Sequence, residues 1–232
     1  MAVPRSANLY DQIVHPTTEF GGSLCHVVGG KGMGRTALIG KMVRDGVTHP
    51  NPPIVVVRGT MDDRDLSFVR HRVMDRPVTV IRQTDPFHYN LFGINVVEEP
   101  DTDLLPFWQT TIRKICATKP VDRGVLVILD RGDEVFDYTA VPTSTILDMR
   151  YLLQDLRIFT CSLVVCTDTT IAMPPRFRSL FPFTIYLPGA VTRIDDLRYT
   201  STLALPPDYV LIKHAIGTEE VHRIGESHGT GD

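Results

Sequence analysis

Short apolar runs and amphipathic stretches alternate along this chain, and their order predicts an α/β domain. Residues 24–28, 54–58, 78–81, 124–130, 161–167, 183–187 and 209–212 are aliphatic or β-branched runs bounded by glycine, proline or polar residues, the pattern of buried strands. The clearest is 124–130, five consecutive apolar residues ending in Asp130, which belongs in the middle of a parallel sheet covered on both faces. Residues 221–224 are expected to pair with 209–212 as a terminal hairpin across Gly217. Helices are predicted over 35–45, ending at Gly46, over 143–156, and where Leu104, Leu105, Trp108, Ile112 and Ile115 share one face. Leu66, Val69 and Val73 show helical spacing within the charged stretch 61–75. Strands alternating with helices imply right-handed crossovers and ligands at the carboxyl ends of the strands. Residues 1–22 read as an N-terminal arm, 23–226 as one domain, and 227–232 as a disordered tail.

At 232 residues the chain suits one well-packed α/β domain. Its 24 basic and 27 acidic side chains give a formal charge of -3, so any nucleic acid must be held by a local patch or by several subunits together. Cys25, Cys116, Cys161 and Cys166 lie in apolar stretches without a C-x-x-C pair and read as buried, reduced thiols. The eight histidines show no His-x-x-x-His spacing, which leaves a metal hydrolase without support. No apolar run has the length of a membrane span, and no stable membrane insertion is expected.

The chemistry concentrates in His26-Val-Val-Gly-Gly-Lys-Gly-Met-Gly-Arg-Thr36, a strand running through a glycine-rich turn into a helix. Gly29-x-x-x-x-Gly34-Arg35-Thr36 fits the phosphate-loop pattern G-x-x-x-x-G-K-[ST] except that arginine stands for lysine. Gly29, Gly30, Gly32 and Gly34 let backbone N–H groups converge on an anion, with Lys31, Met33 and Ala37 completing the segment and the helix dipole adding positive potential. Thr36 offers a hydroxyl to Mg2+. About ninety residues on, Asp130 closes an apolar strand and supplies the carboxylate that nucleotide hydrolases place beside the metal. Each feature also has a plain structural reading: a tight strand–helix turn, and an acid capping a buried strand.

This order of residues resembles the HerA/FtsK superfamily of P-loop ATPases, and within it the small genome-packaging ATPases of tailless icosahedral viruses. The likeness extends over residues 24–224 and rests on the glycine loop, the strand ending at Asp130, a helix running into Arg157, and a strand closing in Cys166-Thr-Asp168. At that last place the family reads Ala-Thr-Gln or Ser-Thr-Gln, with an arginine eleven residues before the glutamine; Arg157 stands eleven residues before Asp168. The segment 171–186, Tyr89-Asn-Leu-Phe92 and the terminal hairpin extend the match.

The resemblance implies a RecA-like P-loop NTPase domain that binds ATP with Mg2+ at Thr36 and Asp130. It further implies a homo-oligomeric ring that moves double-stranded DNA into a shell through capsid vertex proteins, in the virion or the host cytoplasm. Arg157 would be a finger reaching the neighbouring subunit's γ-phosphate. The departures fall on catalytic positions: Arg35 replaces the loop lysine, Arg131 replaces the glutamate after Asp130, and Asp168 replaces the glutamine sensor. Arginine keeps the charge but presents a wide planar fork, with Lys31 as another ammonium in the loop. Glu134 is the candidate base if the turn at Gly132 brings it over the strand end. Arg157 otherwise reads as a helix-terminal cation and Glu134 as a first-turn acid. Arg176, Arg178 and Arg193 are candidates for a basic channel.

Two other classes remain open. One is a degenerate subunit that keeps the fold for assembly. The other is a ParA-like ATPase or nucleotide kinase, against which stand Gly30 at the ParA signature-lysine position and the lack of an arginine-rich lid.

Overall fold

The computed structural model describes residues 9–17, 21–58, 77–82, 86–136, 143–173, 175–190, 205–215 and 217–223. Among the described residues nine strands form one sheet: β1 (Leu24–Val28), β2 (Ile54–Arg58), β3 (Val78–Ile81), β4 (Ile94–Val97), β5 (Val125–Leu129), β6 (Cys161–Thr167), β7 (Phe183–Tyr186), β8 (Tyr209–His214) and β9 (Glu219–Arg223). Their spatial order is β3-β4-β2-β5-β6-β1-β7-β8-β9. Every pairing from β3 across to β7 is parallel, while β7–β8 and β8–β9 are antiparallel. This is the α/β architecture with a C-terminal hairpin that the sequence pattern implies.

The four central strands β2, β5, β6 and β1 are buried at every position, which is why they read as continuous apolar runs. Alternate side chains feed two cores. Cys25, Val27, Val55, Val57, Leu126 and Ile128 pack under α1 (Leu9–Val14) and α2 (Arg35–Thr48). On the other face Ile54, Val56, Val127 and Leu163 meet α3 (Leu104–Thr118), α4 (Gly132–Val135), α5 (Thr143–Ile158) and α6 (Pro175–Arg178).

Three local expectations change. Helix α2 runs through Gly46 to Thr48, because that glycine faces the sheet and not the solvent: a Cβ there would lie 3.2 Å from Val55 Cγ2. Strand β4, without a predicted counterpart, pairs with both β2 and β3. The N-terminal segment contains α1, whose Ile13 and Val14 are fully buried. Helical spacing at 61–75, the tail 227–232 and Arg193 fall outside the described residues.

Candidate nucleotide site

The glycine loop leaves the carboxyl end of β1, where parallel neighbours β6 and β7 end beside it. Register aligns Val28 with Thr167 and Tyr186, and Gly29 N–H continues the ladder to Thr167 O at 3.0 Å. Gly29 has no room for a side chain, since a Cβ would meet Leu187 Cδ1 at 2.4 Å. Gly32 and Gly34 take φ of 84° and 89°, the left-handed region that lets the loop curl into the first turn of α2. Within the turn Met33 N–H donates to Gly30 O at 3.2 Å, and Gly30 N–H donates to Met33 Sδ at 3.1 Å. Lys31 and Ala37 are exposed, and Thr36 is half-buried in the first helical turn.

Arg35 opens α2 and folds back under the loop. Its Nη1 donates to Gly29 O at 3.0 Å and to Asp168 Oδ1, and its Nε lies 2.8 Å from Asp130 Oδ1. Burial disfavours this guanidinium's charge, but the hydrogen bond with Asp168 and the charges of Asp130 and Asp168 outweigh burial and raise its pKa. Asp130, at the end of β5, also accepts Arg131 N–H at 2.9 Å on the same oxygen. The structure thus brings Arg35, Asp130 and Asp168 together at one end of three adjacent strands.

Glu134 lies in the four-residue helix α4, entered through Arg131 at φ 52°. Both its oxygens meet guanidinium groups: Oε2 is 2.8 Å from Arg58 Nη2, and Oε1 is 2.8 Å from Arg131 Nη2. Arg58 closes β2 and is 1% exposed. Its Nη1 donates to the carbonyls of Asp130 and Arg131 at 2.9 and 2.6 Å. Its Nε and Nη2 meet Oε1 and Oε2 of Glu99 at 2.8 and 2.7 Å. Trp108 Nε1 also donates to Glu99. With the Glu134 contact, all five N–H donors of Arg58 have acceptors. Sequence reasoning missed Arg58 and Glu99; the one available signal was an arginine ending an otherwise apolar run, which only a buried partner can satisfy.

Arg157 is exposed in the last turn of α5, at the entrance of β6, whereas Asp168 follows its exit. Seven strand residues at about 3.3 Å each separate them by roughly 20 Å, so Arg157 does not reach the loop of its own chain. The chain of Arg178 lines a cavity of about 290 Å³ with His26, Thr170, Phe181, Tyr186 and Lys213; the side chain of Arg176 lies outside the described residues. In β1, His26 Nε2 stands 2.8 Å from the Thr167 hydroxyl, which itself donates to Thr169 O at 2.8 Å, so the imidazole is the donor of that first contact.

For Mg2+ the donor set is one hydroxyl, Thr36, and one carboxylate, Asp130. These hard oxygens would suit an ion that takes its remaining ligands from phosphate and water. Among the described residues no cluster of three or more His, Cys, Asp or Glu could hold a metal by itself, all four cysteines are buried and free, and no helix is long and apolar enough to cross a membrane.

No family model matches the chain, and no curated sequence matches it significantly. Its fold matches the genome packaging NTPase B204 of Sulfolobus turreted icosahedral virus 2 in complex with ATP-gammaS. The TM-score is 0.58 and the identity 15%, over 87% of this chain and 97% of that one. It also matches B204, the DNA-packaging ATPase of Sulfolobus turreted icosahedral virus, with TM-score 0.58 and 13% identity over 89% and 100%. A third match is the cytoplasmic domain of the type VII secretion ATPase EccC of Thermomonospora curvata, with TM-score 0.54 and 13% identity over 91% of this chain and 26% of that one. The chain therefore has the fold of the P-loop ATPases and resembles, among them, the viral genome-packaging ATPases.

Proposed function

We propose that this chain is an ATP hydrolase whose homo-oligomeric ring drives double-stranded DNA into a viral capsid. The observation that carries the reading is the glycine loop at the end of β1, with Asp168 after the adjoining strand β6 and Asp130 after the next strand, β5, in a fold that matches B204 over nearly that protein's full length. Backbone N–H groups of residues 31, 32 and 34–36 receive the phosphates, Gly29 N–H being taken by the sheet and those of Gly30 and Met33 by each other's residue, and Arg35, with Lys31, supplies positive charge. Thr36 and Asp130 hold Mg2+, which when bound neutralises charge building on the phosphates. Glu134 orients the attacking water after leaving one of its two guanidinium partners. Arg157, too far from its own loop, serves the neighbouring subunit's site.

A second reading is favoured by one observation, the engagement of both Glu134 oxygens. A subunit holding that arrangement binds nucleotide and assembles without turnover. The test is steady-state ATP hydrolysis with Mg2+ across protein concentration, beside direct nucleotide titration. Hydrolysis whose specific activity rises with concentration supports the motor. Binding without turnover at any concentration supports the second reading, and no binding removes both.

A further inference from the structure

Arg35 and Asp168 occupy two of the positions at which this chain departs from the pattern of the ATPases it resembles, and the fold makes them partners. We propose that Asp168 is an internal counter-anion that competes with nucleotide phosphate for the Arg35 guanidinium, and so sets the affinity of the site. This rests on the nucleotide-site reading above.

The backbone fixes the juxtaposition. Because β6 pairs with β1 in register and Gly29 N–H bonds to Thr167 O, the residue after Thr167 is held at the flank of the loop. Arg35 Nη1 spans Gly29 O and Asp168, while Nε rests on Asp130. One positive charge thus faces two negative ones, a trio of net charge -1 at the mouth of an anion cradle. An entering phosphate must draw the guanidinium from one of them.

The two carboxylates differ in how readily they let go. Asp130 has a 13% exposed side chain and is fixed by the Arg131 N–H. The Asp168 side chain is 61% exposed, so water replaces the guanidinium there at small cost. Asp168 is therefore the partner that yields, and the work of separating it is subtracted from the binding of any phosphate ligand.

This role differs in kind from that of a sensor. A γ-phosphate sensor acts on turnover and distinguishes triphosphate from diphosphate. A counter-anion acts on binding, to a similar extent for every phosphate ligand that reaches Arg35.

The experiment is calorimetric titration of the full chain with a non-hydrolysable ATP analogue, ADP and pyrophosphate, for wild type, Asp168→Asn and Asp168→Glu. The asparagine variant should tighten all three ligands by about two- to fivefold, the scale of an exposed ion pair, and the glutamate variant should bind no tighter than wild type. Circular dichroism confirms folding, and Asp168→Ser provides the same test if the asparagine variant is unstable. Equal or weaker binding by the charge-removing variants, or a gain confined to the triphosphate, overturns the proposal while leaving the nucleotide site standing. If neither wild type nor variants bind any of the three ligands, the nucleotide reading falls and this inference falls with it.

Discussion

Arg58 and Glu99 form a two-pronged ion pair, Nε to Oε1 and Nη2 to Oε2, with side chains only 1% and 4% exposed. Breaking such a pair strands a charge in the interior. Glu99→Gln or Arg58→Met should lower unfolding free energy by about 3–5 kcal/mol, whereas replacing both should cost less than the sum of the two. Urea denaturation of the single and double variants measures the difference; additive losses would show that the pair is not coupled.

Glu134 is held by Arg58 on one oxygen and Arg131 on the other, and Arg131 is the exposed partner. Arg131→Ala should therefore raise turnover a few-fold by releasing one side, while Glu134→Gln should lower it by about 100-fold, the usual scale for losing a positioned base. Neither should alter nucleotide affinity much. Unchanged turnover in Glu134→Gln would remove this residue from the chemistry.

Arg157 lies at the far end of β6 from the loop, and under the proposed function it acts on a neighbouring subunit. Arg157→Ala should cost up to about 1,000-fold in turnover and abolish the rise of specific activity with protein concentration. Nucleotide binding should be nearly intact. A wild-type specific activity that stays flat on dilution would rule out a finger acting between subunits.

A chain of net charge -3 has no long-range attraction for DNA, so duplex binding should belong to the assembly and fall steeply with salt. The slope of log affinity against log salt should be about -0.9 per phosphate neutralised, without preference among sequences. Salt titrations of assembled and monomeric protein measure this. Equal binding by both would remove the ring from DNA recognition.

Two imidazoles should make the fold acid-sensitive. Burial, then the nearby Arg178 charge, push His26 down to about 3; burial, then His49 stacked at 4.1 Å, push His15 down to about 4. Both are neutral in the fold and take up protons more readily once unfolded. Their stabilisation is complete above the ordinary histidine value near 6.5 and is lost as pH falls, at up to about 1.4 kcal/mol per pH unit for each group, until the folded values are reached. Denaturation midpoints between pH 7 and 4 should show this fall, and His26→Gln should flatten it.

The central strands were legible because burial on both faces writes itself as unbroken aliphatic runs, as in β5 and β6. The loop was legible because its glycines answer a spacing rule. Strand β4 was obscured because Asn95 interrupts its run; the fold buries that amide completely by bonding it to Val55 O at 3.0 Å and Asn90 O at 2.9 Å. Helix α1 is six residues long, too short for a periodicity to emerge. At the site, the loop and strand patterns pointed to Arg35 and Asp130, and the family resemblance to Glu134 and Asp168, but neither told how they pair. Pairing depends on which strand ends adjoin, and the strand order β2-β5-β6-β1 is a property of crossovers that local sequence does not encode.

Strand β6 fixes a distance. It enters beside Arg157 and leaves at Asp168, and every residue between is buried among close-packed neighbours on both faces. Such a strand is stiff, and its two ends keep a set separation. If Arg157 meets a neighbouring subunit, the two ends of one stiff strand face two different nucleotide sites.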